Sequence, residues 1–118
     1  MTGTVRVLRI DVDGTASLHQ IGDGNLRAWQ DLVGGYIEGI YGPAWCGYVN
    51  ESGLLDGLPV NPFASVLVRD AGGIGYGVLV GPVVFFGRPN DDGDPTDCPD
   101  WLLDLAIAVG AHPIEAAP

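Results

Sequence analysis

The sequence predicts an α+β fold, a small single domain in which two main helices pack against one face of an antiparallel-rich sheet built from hairpins. Apolar segments typical of strands outnumber those typical of helices and mostly come in pairs joined by short turns. Two segments, at about 25–33 and 99–109, repeat apolar residues at helical spacing. The length of 118 residues is that of one domain, so we treat 1–118 as a single unit.

The first hairpin is predicted around the stretch RIDVDGT, residues 9–15. Residues 5–12 (VRVLRIDV) are rich in the β-branched and aliphatic residues of strands, and residues 15–21 (TASLHQI) are expected to return antiparallel to them. Between them, Asp13-Gly14 is a favoured dipeptide of two-residue type I′ turns, because glycine adopts positive φ without steric cost.

The same stretch resembles the start of haloacid-dehalogenase-type phosphatases, in which a strand leads into D-x-D-G-T. That chemistry needs bound Mg²⁺, further acidic ligands and a cationic residue to balance the phosphate charge. The chain has no lysine, and its pattern is hairpin after hairpin rather than the β-α-β alternation of a parallel sheet. We therefore favour the turn and keep a Mg-dependent phosphatase using Asp11 and Asp13 as a remote alternative.

The next elements are a helix and a second hairpin. Asn25 is suited to cap a helix that ends at Gly34-Gly35, since asparagine accepts a hydrogen bond from the first turn and glycine adopts the left-handed conformation. Residues 36–41 (YIEGIY) and 45–50 (WCGYVN) then predict two antiparallel strands around Gly42-Pro43.

The second half is less regular. Residues 63–68 are compatible with a helix or a strand, and Asn61-Pro62 favours a helical turn because proline suits the first helical position. The remaining predicted segments are a glycine-rich loop at 72–77, one or two buried strands within 78–86, an acidic loop at 88–97, a helix at 99–109 and a frayed tail at 111–118.

Composition narrows the class of protein. The net charge of −10 repels nucleic-acid phosphates, so we expect no direct nucleic-acid binding and instead either a solubilising surface or contact with a basic protein surface. No apolar run approaches the roughly 20 residues that span a bilayer, and we expect a soluble, cytoplasmic protein. Cys46 and Cys98 are predicted to be free, buried thiols. We predict no metal site, because no ligands occur at metal spacing. We also predict no cofactor, since the glycine-rich stretch GGIGYG leads into a strand-like run rather than the helix that a dinucleotide-binding motif needs.

Candidate ligand-binding residues cluster on and after the second predicted hairpin. Aromatic side chains with a carboxylate could line a small pocket, although ordinary sheet packing explains them too. Polar residues at turns more often hold backbone than ligand. The candidates are Tyr36, Glu38, Tyr48, Asn50, Glu51 and Asn61. We predict no catalytic residues, since no serine or cysteine has a histidine and an acid at recognisable spacing.

Three segments together resemble the family catalogued as domain of unknown function 3846. They are WQDLVGGYIE at 29–38, YVNESGLLDGLPVN at 48–61 and VLVGPVVFFG at 78–87. The resemblance covers roughly residues 5–87 and implies a small protein or module of bacteria, phages and other mobile elements, with a short hairpin before the helix. It implies no established activity and no site residues.

These observations lead to two expectations of function beside the remote phosphatase. The first is a small non-enzymatic accessory protein, encoded by a phage or mobile element, that binds a host protein through a basic surface of that protein. The second is a protein that sequesters a small molecule or nucleotide metabolite near Tyr36–Glu38 and Asn50–Asn61. The oligomeric state stays open.

Overall fold

The computed structural model describes residues 3–22 and 24–114, which form the predicted α+β fold with a six-stranded mixed sheet and three helices. In chain order the elements are β1 (Thr4–Ile10), β2 (Thr15–Gly22), α1 (Leu26–Val33), β3 (Ile37–Tyr41), β4 (Cys46–Asn50), α2 (Pro62–Asp70), β5 (Val83–Phe86), α3 (Asp100–Ala108) and β6 (His112–Pro113). The strand order is β3-β4-β5-β1-β2-β6, antiparallel except for the β2–β6 pair. No helix in these ranges has the length and apolarity needed to cross a membrane.

Helices cover both faces of the sheet. Successive side chains of a strand point to opposite faces. Val5 and Val7 of β1 accordingly pack with Trp29 of α1, whereas Leu8 of the same strand belongs to the cluster that contains Leu67 of α2 and the buried residues of α3. The prediction of helices against one face is therefore wrong, because α1 lies opposite α2 and α3.

Strand β5 lies between these two layers. All four of its residues are buried, with Val83 and Phe85 facing α2 and α3 and with Val84 and Phe86 facing α1. A strand covered on both faces has an uninterrupted apolar sequence rather than an alternating one. This double coverage explains the apolar run VVFF. Of the one or two strands predicted within 78–86, the structure forms this one.

The β1–β2 hairpin turns at RIDVDGT, as predicted, but through a three-residue loop. The Gly14 N–H donates to the Asp11 carbonyl and the Asp11 N–H donates to the Thr15 carbonyl, both at 2.9 Å. Gly14 has φ 90°, while no non-glycine residue among those described has a positive φ. A type I′ turn needs positive φ at both central residues. The predicted type I′ geometry at Asp13-Gly14 is therefore wrong.

The two asparagine caps form as predicted. Asn61 Oδ1 accepts from the Ala64 N–H at 3.0 Å at the start of α2, which shows that residues 63–68 are helical. Asn25 Oδ1 accepts from the Ala28 N–H at 3.2 Å at the start of α1. Gly34 ends α1 with φ 78°, since this left-handed conformation is open to glycine.

The chain adds a last strand where a frayed tail was predicted. The His112 N–H donates to the Gly14 carbonyl and the Ile114 N–H donates to the Ala16 carbonyl, both at 2.9 Å. These bonds place β6 parallel to the start of β2, at one edge of the sheet. The remainder of the predicted tail, residues 115–118, lies outside the described residues.

Candidate functional site

Strand β3 forms the other edge of the sheet and leaves part of its backbone unpaired. The Tyr36 carbonyl accepts from the Glu51 N–H at 2.8 Å, and the Gly42 N–H donates to the Trp45 carbonyl at 3.0 Å, so residues 36 and 42 face the β4 side. In an antiparallel pair the direction of the backbone groups alternates along the strand. Ile37 and Gly39 therefore direct their N–H and C=O groups away from the sheet.

The glycine-rich loop 72–77 closes one end of this edge. The Tyr41 N–H, which also points outward, donates to the Tyr76 hydroxyl at 2.8 Å. The unpaired segment of the edge is thus Ile37–Gly39. On the strand itself, the Tyr41 ring lies over Gly39, and a Cβ added there would require this exposed ring to move.

A groove of about 150 Å³ opens beside this edge, and we call it the edge groove. Its walls come from β3, β4, the turn 51–57 and the segment 76–80. Its carboxylates are Glu38 and Glu51, both exposed. Its apolar residues are Ile40, Val49, Leu54, Val78, Leu79 and Val80, of which Leu54 and Val78 are 79% and 63% exposed. The groove thus combines an apolar floor with negative charge.

A second opening, which we call the α1 cleft, has a volume of about 500 Å³ and lies between the end of α1 and the turn 51–57. Tyr36 stands at its side with 71% of its surface exposed. The charged residues around it are Arg27, Asp31 and Asp56, and Arg27 is paired with Asp31 at 3.2 Å. It is open and polar rather than deep.

The structure distributes the six predicted site residues over several environments. Glu38 and Glu51 line the edge groove, and Tyr36 lines the α1 cleft. Asn50 lies between the two openings and contributes to both. Tyr48 instead joins an aromatic cluster on the α1 face, with ring centroids 5.1 Å from Trp29, and burial raises the pKa of its hydroxyl.

The side chains of both predicted asparagines form hydrogen bonds with backbone groups. This is the alternative to ligand binding that the sequence favoured for polar residues at turns. Asn50 Nδ2 donates to the Val33 carbonyl at 3.3 Å and its Oδ1 accepts from the Ser52 N–H at 2.9 Å. Asn61 is fully buried, and its Nδ2 donates to the carbonyls of Ile10 at 3.0 Å and Gly81 at 2.9 Å. With its cap bond, Asn61 has no hydrogen-bonding capacity aimed at either opening.

Of the aspartates of the phosphatase-like stretch, Asp13 lies in the hairpin loop and Asp11 directly precedes it, between antiparallel strands. Asp11 pairs with Arg9 at 3.1 Å and also accepts from the Val12 N–H at 2.8 Å. Asp13 accepts from the Thr15 N–H at 2.9 Å, and hydrogen bonds from Thr15 lower the pKa of the Asp13 carboxyl. Within residues 3–22 and 24–114, no group of three or more acidic, histidine or cysteine side chains is arranged to hold a metal.

One polar pair was missed in the sequence. Ser17 Oγ lies 2.8 Å from His19 Nε2 on the α1 face of β2, because residues two apart on a strand share a face. Burial, and then the charge of Arg9, lower the pKa of His19. Ser17 is buried, and neither residue lines the edge groove or the α1 cleft. The S-x-H spacing within a predicted strand was the available signal.

Both cysteines are free and buried, as predicted. Burial raises the pKa of the Cys98 thiol to about 12 and also raises the pKa of Cys46. A thiolate is the reactive form of cysteine, so neither environment favours nucleophilic chemistry.

Comparison with known proteins matches the chain to a protein family. The model of the family described as Domain of unknown function (DUF3846) matches residues 5–111, which includes α3 and thus extends past residue 87. No curated protein and no solved structure matches the chain.

Proposed function

Because this chain belongs to the DUF3846 family, whose description assigns no activity, we propose its function from its surface: a small non-enzymatic accessory protein that binds another protein. The observation that carries this proposal is the open edge at Ile37–Gly39 with exposed apolar side chains beside it. Sheet edges with unpaired backbone groups recruit extended segments of other chains unless they are protected. Leu54 and Val78 at the same edge offer apolar surface for such a contact.

Charge supports a basic partner. The net charge is −10, and four of the five arginines already pair with aspartates at 2.8–3.2 Å. The acidic loop 88–97 is largely exposed, and its Asn90 side chain accepts from the Asp92 and Asp94 N–H groups. Such a field steers basic protein surfaces toward the chain and disfavours nucleic acid.

The experiment is quantitative affinity capture from a lysate of the source cells, with the wild-type chain and three variants as baits. Leu54→Ser and Val78→Ser remove apolar surface from the edge without changing the charge. Ile107→Ser is the matched control, since Ile107 is an exposed apolar residue, 44% accessible, on α3. We expect one protein to be retained by wild type and the control and lost by both edge variants, and more weakly retained at high salt.

Equal capture by all four baits would refute the edge as the binding surface. A complex that does not respond to salt would refute the electrostatic part of the proposal. All three substitutions are at exposed sites, so we expect the baits to remain folded.

The α1 cleft supports a second candidate, the sequestration of a small molecule such as a nucleotide metabolite. Its volume of about 500 Å³ lies within the range of small-molecule sites, roughly 300–1,000 Å³. Native mass spectrometry of gently purified protein tests this, with a metabolite-sized added mass expected in wild type and absent in Tyr36→Ala. Bare protein in both samples would count against it and would leave the protein-binding proposal standing.

We further propose that the chain acts in the cytoplasm of a bacterial host and is encoded by a phage or mobile element. Two free cysteines support a reducing compartment. The resemblance of its segments to a family of bacteria and phages supports the origin. Detection of the chain in the soluble cytoplasmic fraction of infected or carrier cells tests both points.

A further inference from the structure

We propose that the edge groove receives a long basic side chain from a peptide strand that adds to β3, so that its charged head lies between Glu38 and Glu51. The inference rests on the proposed function and deepens it by naming the partner segment. That segment is extended and has an arginine or lysine flanked by apolar residues.

The open backbone sets the length of the added strand. Outward-facing groups are available at Ile37 and Gly39, whereas the Tyr41 N–H is already bonded to the Tyr76 hydroxyl. Pairing is therefore limited to about three residues of β3. So short a ladder supplies little affinity by itself, because each net hydrogen bond contributes only about 1 kcal/mol. Side-chain contacts must supply the rest.

The register of the edge directs one side chain toward the groove. Residues directly opposite each other in a sheet point to the same face, with Cβ atoms about 4.5–5.5 Å apart. Glu38 and Ile40 line the groove, so the residue opposite Glu38 has its side chain on that face. A long side chain is needed to cross β3 and reach the floor at Val49 and Leu79.

The size and chemistry of the groove match one such side chain. Its 150 Å³ is below the roughly 300–1,000 Å³ of small-molecule sites, so it holds a side chain rather than a metabolite. Arginine and lysine pack their methylene stems on apolar surface and keep the charged head at a polar rim. Here the stem would lie on Ile40, Val49 and Leu79, and the head between the two carboxylates.

The negative charge of the groove has no counterion in the described part of the chain. Neither Glu38 nor Glu51 forms an ion pair there, in contrast to the aspartates that pair with Arg6, Arg9 and Arg27. No basic residue lines the groove. A basic side chain would thus form new ion pairs without breaking an existing one.

The test is a ¹⁵N NMR titration of the full chain with two peptides. One is acetyl-Thr-Val-Arg-Val-Thr-amide, and the other has citrulline in place of arginine, which keeps the shape and removes the charge. We expect the arginine peptide to shift the amides of Ile37–Gly39, Glu51 and Leu54, and to bind about fivefold more tightly than the citrulline peptide.

Two double variants test which carboxylates of the protein recognise the charge of the arginine peptide. Glu38→Gln with Glu51→Gln should abolish the difference between the peptides, whereas Asp91→Asn with Asp92→Asn, which removes the same charge from the acidic loop, should preserve it. No binding of the arginine peptide at this edge, equal binding of both peptides, or equal effects of the two double variants would overturn the inference. The proposed function would survive those results, since it depends on partner capture through Leu54 and Val78.

Discussion

Replacing Asn61 by alanine should destabilise the fold by about 3 kcal/mol. The side chain is fully buried and makes three hydrogen bonds, from Nδ2 to the Ile10 and Gly81 carbonyls and from the Ala64 N–H to Oδ1. Each contributes about 1 kcal/mol, and the substitution removes all three from a fully buried site. That loss is a large fraction of the roughly 5–15 kcal/mol by which domains are stable.

Asn25→Ala provides a matched control, because Asn25 caps α1 with one exposed bond of 3.2 Å. Its loss should cost about 0.5–1 kcal/mol. Urea unfolding followed by fluorescence of the buried Trp29 and Trp45 measures both free energies of unfolding. If Asn61→Ala costs no more than Asn25→Ala, the structural role assigned to Asn61 is wrong. A residue serving mainly as a ligand would instead lower binding and leave the free energy of unfolding nearly unchanged.

Three further predictions concern single groups. The pKa of His19 in the folded state lies below 6.5, so the unfolded chain binds more protons and the free energy of unfolding falls as pH drops below about 6.5. Urea titrations at several pH values should show a weaker pH dependence of this free energy in His19→Gln, and an equal dependence in both proteins would contradict the prediction. The Cys98 thiol, with a pKa of about 12, should react with a thiol reagent at pH 8 only after unfolding. The reaction is measured in Cys46→Ser, and rapid reaction of the native protein would refute the burial of Cys98. Tyr76→Phe removes the hydroxyl that accepts from the Tyr41 N–H. Hydrogen exchange of the Tyr41 amide should therefore accelerate about fivefold, whereas exchange of the Ile40 amide, which is bonded on the β4 side, should not change.

Local signals predicted the elements well. Asn25, Asn61 and Gly34 marked helix ends because capping depends on the residue and its immediate neighbours. The turn at RIDVDGT was also predicted from its local sequence. The dipeptide Asp13-Gly14, however, could not distinguish a two-residue loop from the three-residue loop that forms, in which Gly14 has a positive φ and Asp13 does not.

The arrangement of layers was harder to predict, since the face that a helix covers depends on contacts between distant segments. The run VVFF did contain the missing information, because four consecutive buried residues require cover on both sides. The candidate site was only partly predictable: Glu38 and Glu51 were among the predicted residues, but the groove that they line also depends on Leu54, Tyr76 and Val78, which the fold alone brings beside β3.

The short strand β6 has a consequence for self-association. The N–H groups of His112 and Ile114 both point toward β2, so the residue between them would direct its N–H outward, and that residue is Pro113, which has none. Along β6 the edge therefore offers no outward donor to an incoming strand. Pro113 therefore protects this short part of the sheet edge from pairing with an incoming strand, whereas the outer side of β2 beyond Ala16 has no strand partner among the described residues.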